Sequence, residues 1–146
     1  MSNIKSIKCS PTILYFYGVI FYRDSRHWLP DVKFSPDGKS FAVGSYDHKI
    51  YIYNRETYRM KGACERHNGH IRNFDFSEDS TYIQSDSGDF EHLYFEAEDG
   101  EHFSAGSQLK DIRWSDWTCT FGYPVQGMFL LCNLLHVNIM YSLVFA

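Results

Sequence analysis

Residues 32–54 read VKFSPDGKSFAVGSYDHKIYIYN, and a related stretch, FDFSEDSTYIQSDSGDFEHLYFE, follows at residues 74–96. The two stretches align without a gap, so that Phe34 falls on Phe76, 42 positions later (76 − 34). Each stretch contains short apolar runs separated by turn residues, a pattern that is typical of strands joined in hairpins. A fixed period of this length is the signature of a repeat protein and indicates a binding scaffold.

The alternation of apolar and turn residues predicts four short strands in each repeat. The first repeat has them at 32–34, 41–45, 50–53 and 59–64, and the second at 72–77, 82–85, 92–95 and 101–105. A third unit begins at 111–115 and echoes the first strand only. Four strands in about 40 residues is the pattern of a β-propeller blade, so we predict an all-β fold.

The composition predicts a globular chain with a sizeable core. Of the 146 residues, 44% are hydrophobic and 18% are aromatic, which is ample apolar material. The 18 acidic and 14 basic residues are scattered and give a net charge of −4, so no basic block predicts binding to nucleic acid. The four cysteines have neither zinc-site spacing nor the density of a secreted disulfide framework, which favours free thiols in a reducing compartment.

Two apolar stretches lie outside the repeats. Residues 13–22, ILYFYGVIFY, resemble the apolar part of a secretory signal, but no small-residue cleavage site follows, which favours a buried aromatic strand. Residues 128–146 contain no Asp, Glu, Lys or Arg, and a membrane anchor is an alternative that this tail leaves open. Asn133, His136 and Asn138 argue against an anchor, since polar side chains are costly in hydrocarbon.

Few residues offer catalytic or metal-binding chemistry. The spacing Cys64-x-x-His67-x-x-His70 supplies three candidate ligands, one fewer than a structural zinc site requires. The carboxylates at residues 86–91 are close in sequence, but hydrogen bonds to turn backbone explain carboxylates at strand ends. Nucleophile-elbow, zinc-protease and phosphate-loop motifs are absent. We therefore predict no enzymatic activity, no catalytic residues, no cofactor and no metal.

The repeats resemble WD-repeats. In those repeats, a Ser and an Asp around the turn before the third strand form an internal hydrogen-bond network with a His before the first strand and a Trp on the third. The resemblance implies that Ser45 and Asp47 take these places in the first repeat. It implies that Ser87, Asp89 and His67 take them in the second.

Several positions depart from the WD-repeat pattern. By the repeat spacing, Ser25 stands in the first repeat where His67 stands in the second (67 − 25 = 42). Tyr53 and Phe95 replace the Trp. A Gly-His dipeptide ends at His70, but it lies too close to the following strand to take the role of His67. These are therefore degenerate repeats, and we expect their buried network to be weaker than that of the consensus.

A narrower resemblance covers about residues 26–127. The runs VKFSPDGKSFAVGSYD, FSEDSTYIQSDSGDFEHLYFEA and DIRWSDWTCTFGYPVQG are similar to successive segments of the echinoderm microtubule-associated protein-like family, and the last run is the most specific. The resemblance implies WD-repeat β-propeller blades, two full and one partial. The predicted parts are a segment outside the resemblance at 1–25, repeats at about 26–66, 67–106 and 107–127, and an apolar tail at 128–146.

The resemblance also implies a function. In that family, the repeats belong to two joined propellers that bind soluble tubulin, so tubulin or microtubules are the implied partner and the implied location is cytoplasmic and cytoskeleton-associated. We expect a non-enzymatic protein-interaction scaffold. Two blades and a fraction do not close a ring, which needs about four or more, so we expect association with other propeller blades or self-association. A membrane-anchored repeat protein and a nonfunctional truncated product are the alternatives that stay open.

Overall fold

Two antiparallel β-sheets follow each other along the described part of the chain. The computed structural model describes residues 24–25 and 27–122, so the predicted tail at 128–146 and nearly all of the segment at 1–25 lie outside the described residues. Among the described residues, no helix has the length and apolarity needed to cross a membrane. The sheets have the strand orders β1-β2-β3-β4 and β5-β6-β7. The strands are β1 Asp31–Phe34, β2 Ser40–Gly44, β3 Ile50–Asn54, β4 Met60–Cys64, β5 Ile71–Phe76, β6 Tyr82–Ser87 and β7 His92–Glu96.

The first sheet has the four strands that the sequence predicts. Neighbouring strands pair antiparallel, with Val32 opposite Val43. All of β2 is buried, as expected for a strand that is covered on both faces. In the turn before β2, the Gly38 N–H donates to the Ser35 carbonyl at 2.9 Å, and the φ of Gly38 is +71°. Glycine adopts this left-handed conformation without strain, which suits it to the end of the turn.

The second sheet differs from the prediction of a fourth strand at 101–105. His102 forms only an isolated bridge to Phe95 at the edge of the sheet. The next residue, Phe103, packs its ring on Tyr82 with the ring centroids 5.2 Å apart. The Phe103 N–H still donates to the Tyr94 carbonyl of β7 at 2.8 Å, so this segment stays at the sheet edge but pairs with it through a single bridge.

The strand expected at 111–115 also appears only as a bridge. Trp114 pairs with Ser77, just beyond the end of β5. A short 3-10 helix, Gly106–Leu109, precedes this position. The Trp114 ring is buried and stacks on Tyr94 with the centroids 6.0 Å apart. The segment therefore packs against the second sheet, and the described residues form no third sheet.

One apolar core joins the two sheets. Its largest members are the fully buried rings of Phe74, Phe76 and Phe95. Burying a side chain of this size stabilises a fold by about 1.5–3 kcal/mol. The first sheet contributes Ala42, Ile50, Ile52 and Cys64, and the second contributes Ile71, Phe74, Phe76, Ile83, Phe95 and Ala97. The sheets are therefore packed as neighbouring blades with a shared interior.

Hydrogen bonds join the two sheets at both ends of their strands. Because neighbouring strands are antiparallel, the β2–β3 and β6–β7 turns lie at one end, which we call the upper end, and the β1–β2, β3–β4 and β5–β6 turns lie at the lower end. At the upper end, the Ile71 N–H donates to the Ser45 carbonyl at 3.2 Å. At the lower end, the Asp37 N–H donates to the Ser80 hydroxyl at 3.0 Å. Equivalent turns of the two sheets therefore lie side by side.

Candidate functional site

In the first sheet, the predicted network residues meet at the upper end. The hydroxyls of Ser25 and Ser45 lie 2.9 Å apart, and both residues are buried. Ser45 accepts the backbone N–H of Asp47 at 3.3 Å, and the Tyr51 hydroxyl donates to the Asp47 carboxylate at 2.7 Å. Burial alone raises the pKa of Asp47, but hydrogen bonds from Tyr51, Ser45 and Ser25 outweigh it and leave this pKa below its usual value. Ser25 thus fills the place of the missing histidine.

In the second sheet, His67 bonds to a serine that the sequence analysis did not assign. Its Nε2 lies 2.6 Å from the Ser85 hydroxyl, and both residues are buried. Ser87 instead donates its hydroxyl to the Asp89 carboxylate, a bond that lowers the pKa of Asp89. His67 and Asp89 have side-chain ligand atoms within 4.8 Å of each other. The structure therefore brings His67 beside Asp89, and Ser87, the last residue of β6, is joined to Asp89.

The pair Ser85 and Ser87 is a sequence signal that could have identified Ser85, although comparing the two repeats hides it. The equivalent position in the first repeat is Val43 (85 − 43 = 42), so the period does not mark a polar residue there. Ser85 and Ser87 lie two residues apart on β6, which places both side chains on one face. Phe95 takes the place of the WD-repeat Trp, with its ring centroid 5.8 Å from that of His67. A phenylalanine ring fills space but has no N–H to donate to the serine.

Because the folded chain favours the neutral form of His67, we predict that the free energy of unfolding falls as pH drops below about 6.5. Burial lowers the pKa of His67, and the nearby Glu91 and Asp89 oppose this only in part. A histidine whose pKa is lower in the folded state takes up its proton first in the unfolded chain. Its stabilising effect is therefore complete above pH about 6.5 and is lost as pH falls through the folded-state pKa.

Urea unfolding at pH about 7.5 and about 5.5 measures this dependence. We expect His67→Gln to lose less stability between the two pH values than the wild-type chain, because glutamine does not titrate. The other histidines are common to both proteins and cancel in the comparison. Equal losses for the two proteins would contradict the assignment.

A second polar cluster ties the two sheets to the segment that follows β7. The Asp75 carboxylate on β5 is fully buried and accepts from the Lys33 Nζ of β1 at 2.6 Å. It also accepts from the Thr118 hydroxyl at 2.6 Å, the Cys119 N–H at 3.0 Å and the Gln84 amide at 3.1 Å. Burial alone raises the pKa of Asp75, but Lys33 and the other donors outweigh it and hold this pKa below its usual value. The carboxylate therefore stays ionised and joins three parts of the chain.

The pattern of the two repeats does not predict this cluster around Asp75, which we call the junction. Lys33 and Asp75 lie at equivalent places in neighbouring repeats, 42 positions apart. Opposite charges at equivalent positions of adjacent blades are the signal that could have identified the pair. Two charged side chains that meet in this way must carry opposite signs, because like charges at this distance would repel.

Comparison with known proteins places these blades in a family. Residues 14–138 match the family model described as the echinoderm microtubule-associated protein second β-propeller. The chain belongs to this family. It is 39% identical over 111 residues to the 77 kDa echinoderm microtubule-associated protein of Lytechinus variegatus, covering 73% of this chain and 17% of that protein. It is 37% identical over 115 residues to the human echinoderm microtubule-associated protein-like 4, covering 75% of this chain and 12% of that protein.

Solved structures agree on the fold of this family member. The structure of U3-55K aligns with a TM-score of 0.52 at 21% identity, over 56% of this chain and 27% of that chain. The crystal structure of the RRP9 WD40 repeats also gives a TM-score of 0.52 at 21% identity, over 56% of this chain and 26% of that chain. This likeness confirms an all-β fold of WD-repeat blades whose ring the described residues do not close. The repeat boundaries stay predictions.

In this echinoderm microtubule-associated protein relative, the Cys64-x-x-His67-x-x-His70 residues take up separate surroundings. Cys64 is fully buried, and burial raises the pKa of its thiol, which keeps it protonated. The His70 ring stacks on Tyr46 with the centroids 4.5 Å apart. His67 bonds to β6 within the fold. These contacts give each member of the motif a packing role.

His67 does lie near two carboxylates. The ligand atoms of His67, Asp89 and Glu91 are within 4.8 Å of one another, as in groups that can hold a metal ion. Hydrogen bonds already engage both carboxylates, because the Asn68 amide donates to Glu91 at 3.1 Å and Ser87 donates to Asp89. The absence of a bound metal therefore stays a prediction, and so does the structural role of the network.

Proposed function

We propose that this WD-repeat interaction scaffold is non-enzymatic and binds tubulin or microtubules. The observation that carries the partner is the 39% identity to the 77 kDa echinoderm microtubule-associated protein, whose name states its association with microtubules. The chain spans 17% of the length of that relative, so the proposal concerns the part of the protein that the chain represents. A cytoplasmic, cytoskeleton-associated location follows from the same partner.

The arrangement of the described residues supports binding by docking. Two rigid sheets present their turns at the upper and lower ends, and turns on a rigid scaffold are where binding residues concentrate. The buried charges of Lys33 and Asp75 bond to each other, and Asp75 also accepts from the Thr118 hydroxyl and the Cys119 backbone N–H. Large apolar side chains are nevertheless exposed, including Trp28 at 65% and Phe90 at 72%. Such residues are common contact points in protein interfaces.

Co-sedimentation with stabilised microtubules and gel filtration with soluble tubulin test the proposal. We expect the full chain to pellet with microtubules or to co-elute with tubulin at concentrations of about 10 μM or below. Centrifugation of the chain without microtubules and gel filtration of the chain without tubulin are the controls, in which the chain should stay in the supernatant and elute unshifted. Circular dichroism establishes beforehand that the chain is folded. Failure of folded chain to bind in either assay would overturn the tubulin proposal.

A further inference from the structure

A row of aromatic rings crosses the upper end of the two sheets. Trp28 is 65% exposed and meets Tyr46 edge-on with the centroids 6.1 Å apart, and Tyr46 stacks on His70. Phe90 is 72% exposed, and its ring lies 5.9 Å from that of Phe121. We call these five rings the aromatic row. Exposed apolar groups that adjoin one another mark interaction sites more often than scattered ones do.

A close backbone contact joins the two parts of the row. The Gly88 N–H donates to the His70 carbonyl at 2.8 Å, and a Cβ on Gly88 would lie only 2.2 Å from the His70 ring. The Tyr46 N–H donates to the Trp28 carbonyl at 2.8 Å. These bonds hold the backbone that carries the rings in place on both sheets, so a partner meets turns whose backbone is already ordered.

The backbone at Phe90 is unfavourable for a phenylalanine. Its φ is +66°, and the equivalent residue of the first repeat, His48, has a φ of +73°. The turn therefore requires the left-handed conformation in both repeats, which glycine or asparagine adopts more readily than a bulky side chain. Since the Phe90 ring is mostly exposed, folding gains little from it. A bulky residue kept at a left-handed position that glycine or asparagine would occupy at lower cost is typical of functional positions.

The surroundings of the row are acidic. Asp47, Asp89 and Glu91 lie at the upper end, on or beside the turns that carry Tyr46 and Phe90. Lys49, on the same turn as Tyr46, pairs with Glu65 at 2.7 Å, and among the described residues no Lys or Arg forms a salt bridge with these three carboxylates. Aromatic faces attract cations, and carboxylates accept charge-assisted hydrogen bonds from guanidinium and ammonium groups. This combination is complementary to a basic partner.

We propose that the aromatic row and its carboxylates bind a Lys- or Arg-containing segment of a partner protein. A cationic side chain would stack on the exposed Phe90 or Tyr46 ring while its N–H groups donate to Asp89 or Glu91. An acidic segment would meet like charges and be excluded. The proposal rests on the function as an interaction scaffold, but it does not depend on tubulin being the partner.

Fluorescence anisotropy with a labelled peptide of Arg-Gly-Ser repeats, about 15 residues long, tests the proposal on the full chain. We expect Phe90→Ala to weaken binding about fivefold and Glu91→Gln about threefold, since each removes one contact to the cation. Tyr58→Ala is the matched control, because Tyr58 is 39% exposed and has a φ of +54° but lies at the lower end. It should leave the affinity unchanged.

Phe90→Asn separates a binding role from a structural one. Asparagine suits the left-handed backbone, so this variant should raise Tm by about 2–6 °C while it weakens peptide binding as Phe90→Ala does. A fall in Tm together with unchanged binding would mean that Phe90 serves the fold and would overturn the proposal. Equal binding of a peptide with Glu in place of Arg would also overturn it.

The tubulin assays distinguish the two proposals. If folded chain binds tubulin but not the Arg peptide, the proposed function stands and the aromatic row is not the basic-segment site. If the Arg peptide binds through Phe90 while neither tubulin assay shows binding, the row is the site and the tubulin proposal fails.

Discussion

Asp75→Ala should destabilise the chain by about 3–5 kcal/mol in urea unfolding, because it removes the centre of a buried charge cluster. The Lys33 ammonium, whose side chain is only 12% exposed, would lose its closest carboxylate partner at 2.6 Å. The Thr118 hydroxyl and the Cys119 N–H would also lose their acceptor. Since small domains are stable by only about 5–15 kcal/mol in total, a loss of this size leaves the fold marginal.

Asp116→Ala is the matched control for this prediction. Asp116 lies 4.0 Å from the same lysine, but its side chain is 59% exposed, so its loss should cost no more than about 0.5 kcal/mol. The low pKa of Asp75 gives a second readout: its contribution is complete above pH about 4 and is lost as pH falls through the folded-state pKa. Asp75→Ala should therefore lose less stability on acidification than the wild-type chain. An Asp75→Ala variant as stable as Asp116→Ala would contradict the role of the junction.

The sequence was sufficient for the first sheet because its strands are marked locally. β3, for example, begins with four apolar and aromatic residues between two sets of turn residues, and it forms where predicted, with Asn54 added at its end. The outer strand predicted at 101–105 failed for a different reason. There the pairing with β7 is limited to one bridge at His102, and Phe103 packs on Tyr82, a contact between residues distant in sequence that no local pattern reports.

The candidate site shows a limit of comparing repeats with each other. The period marked Asp47 and Asp89 because positions that agree between units stand out, whereas His67, whose counterpart is Ser25, was assigned only through the resemblance to WD-repeats. Lys33 and Asp75 were missed because a junction between neighbouring blades needs different residues at equivalent positions. Ser85 was missed for the same reason, since the first repeat has a valine there. Positions with the same residue in both repeats thus indicate contacts that stabilise each blade. Positions with complementary residues in the two repeats indicate contacts that join neighbouring blades.

Gly62→Ala should be the most disruptive addition of a single methyl group among the strand glycines, costing about 3 kcal/mol. A Cβ on Gly62, in β4 of the first sheet, would lie 1.7 Å from the carbonyl oxygen of Asp99, in the turn that follows β7 of the second sheet. The obstacle is backbone, which cannot rotate away as a side chain does. The salt bridge between Lys61 and Glu98, at 2.8 Å, holds the two sheets together at the same place. Relief of the clash therefore requires the blades to separate.

Gly44→Ala provides the comparison, because Gly44 is also a strand glycine that contacts the neighbouring sheet. Its added Cβ would meet the Ile71 Cγ2 at 3.0 Å, a side-chain atom that can shift, so the cost in urea unfolding should be about 1 kcal/mol or less. Equal effects of the two variants would mean that β4 does not pack this tightly on the second sheet. Because the aromatic row spans both sheets, a folded Gly62→Ala chain should also bind the Arg peptide more weakly than Gly44→Ala does. Separated blades would no longer hold Tyr46 and Phe90 at the spacing that one basic segment needs.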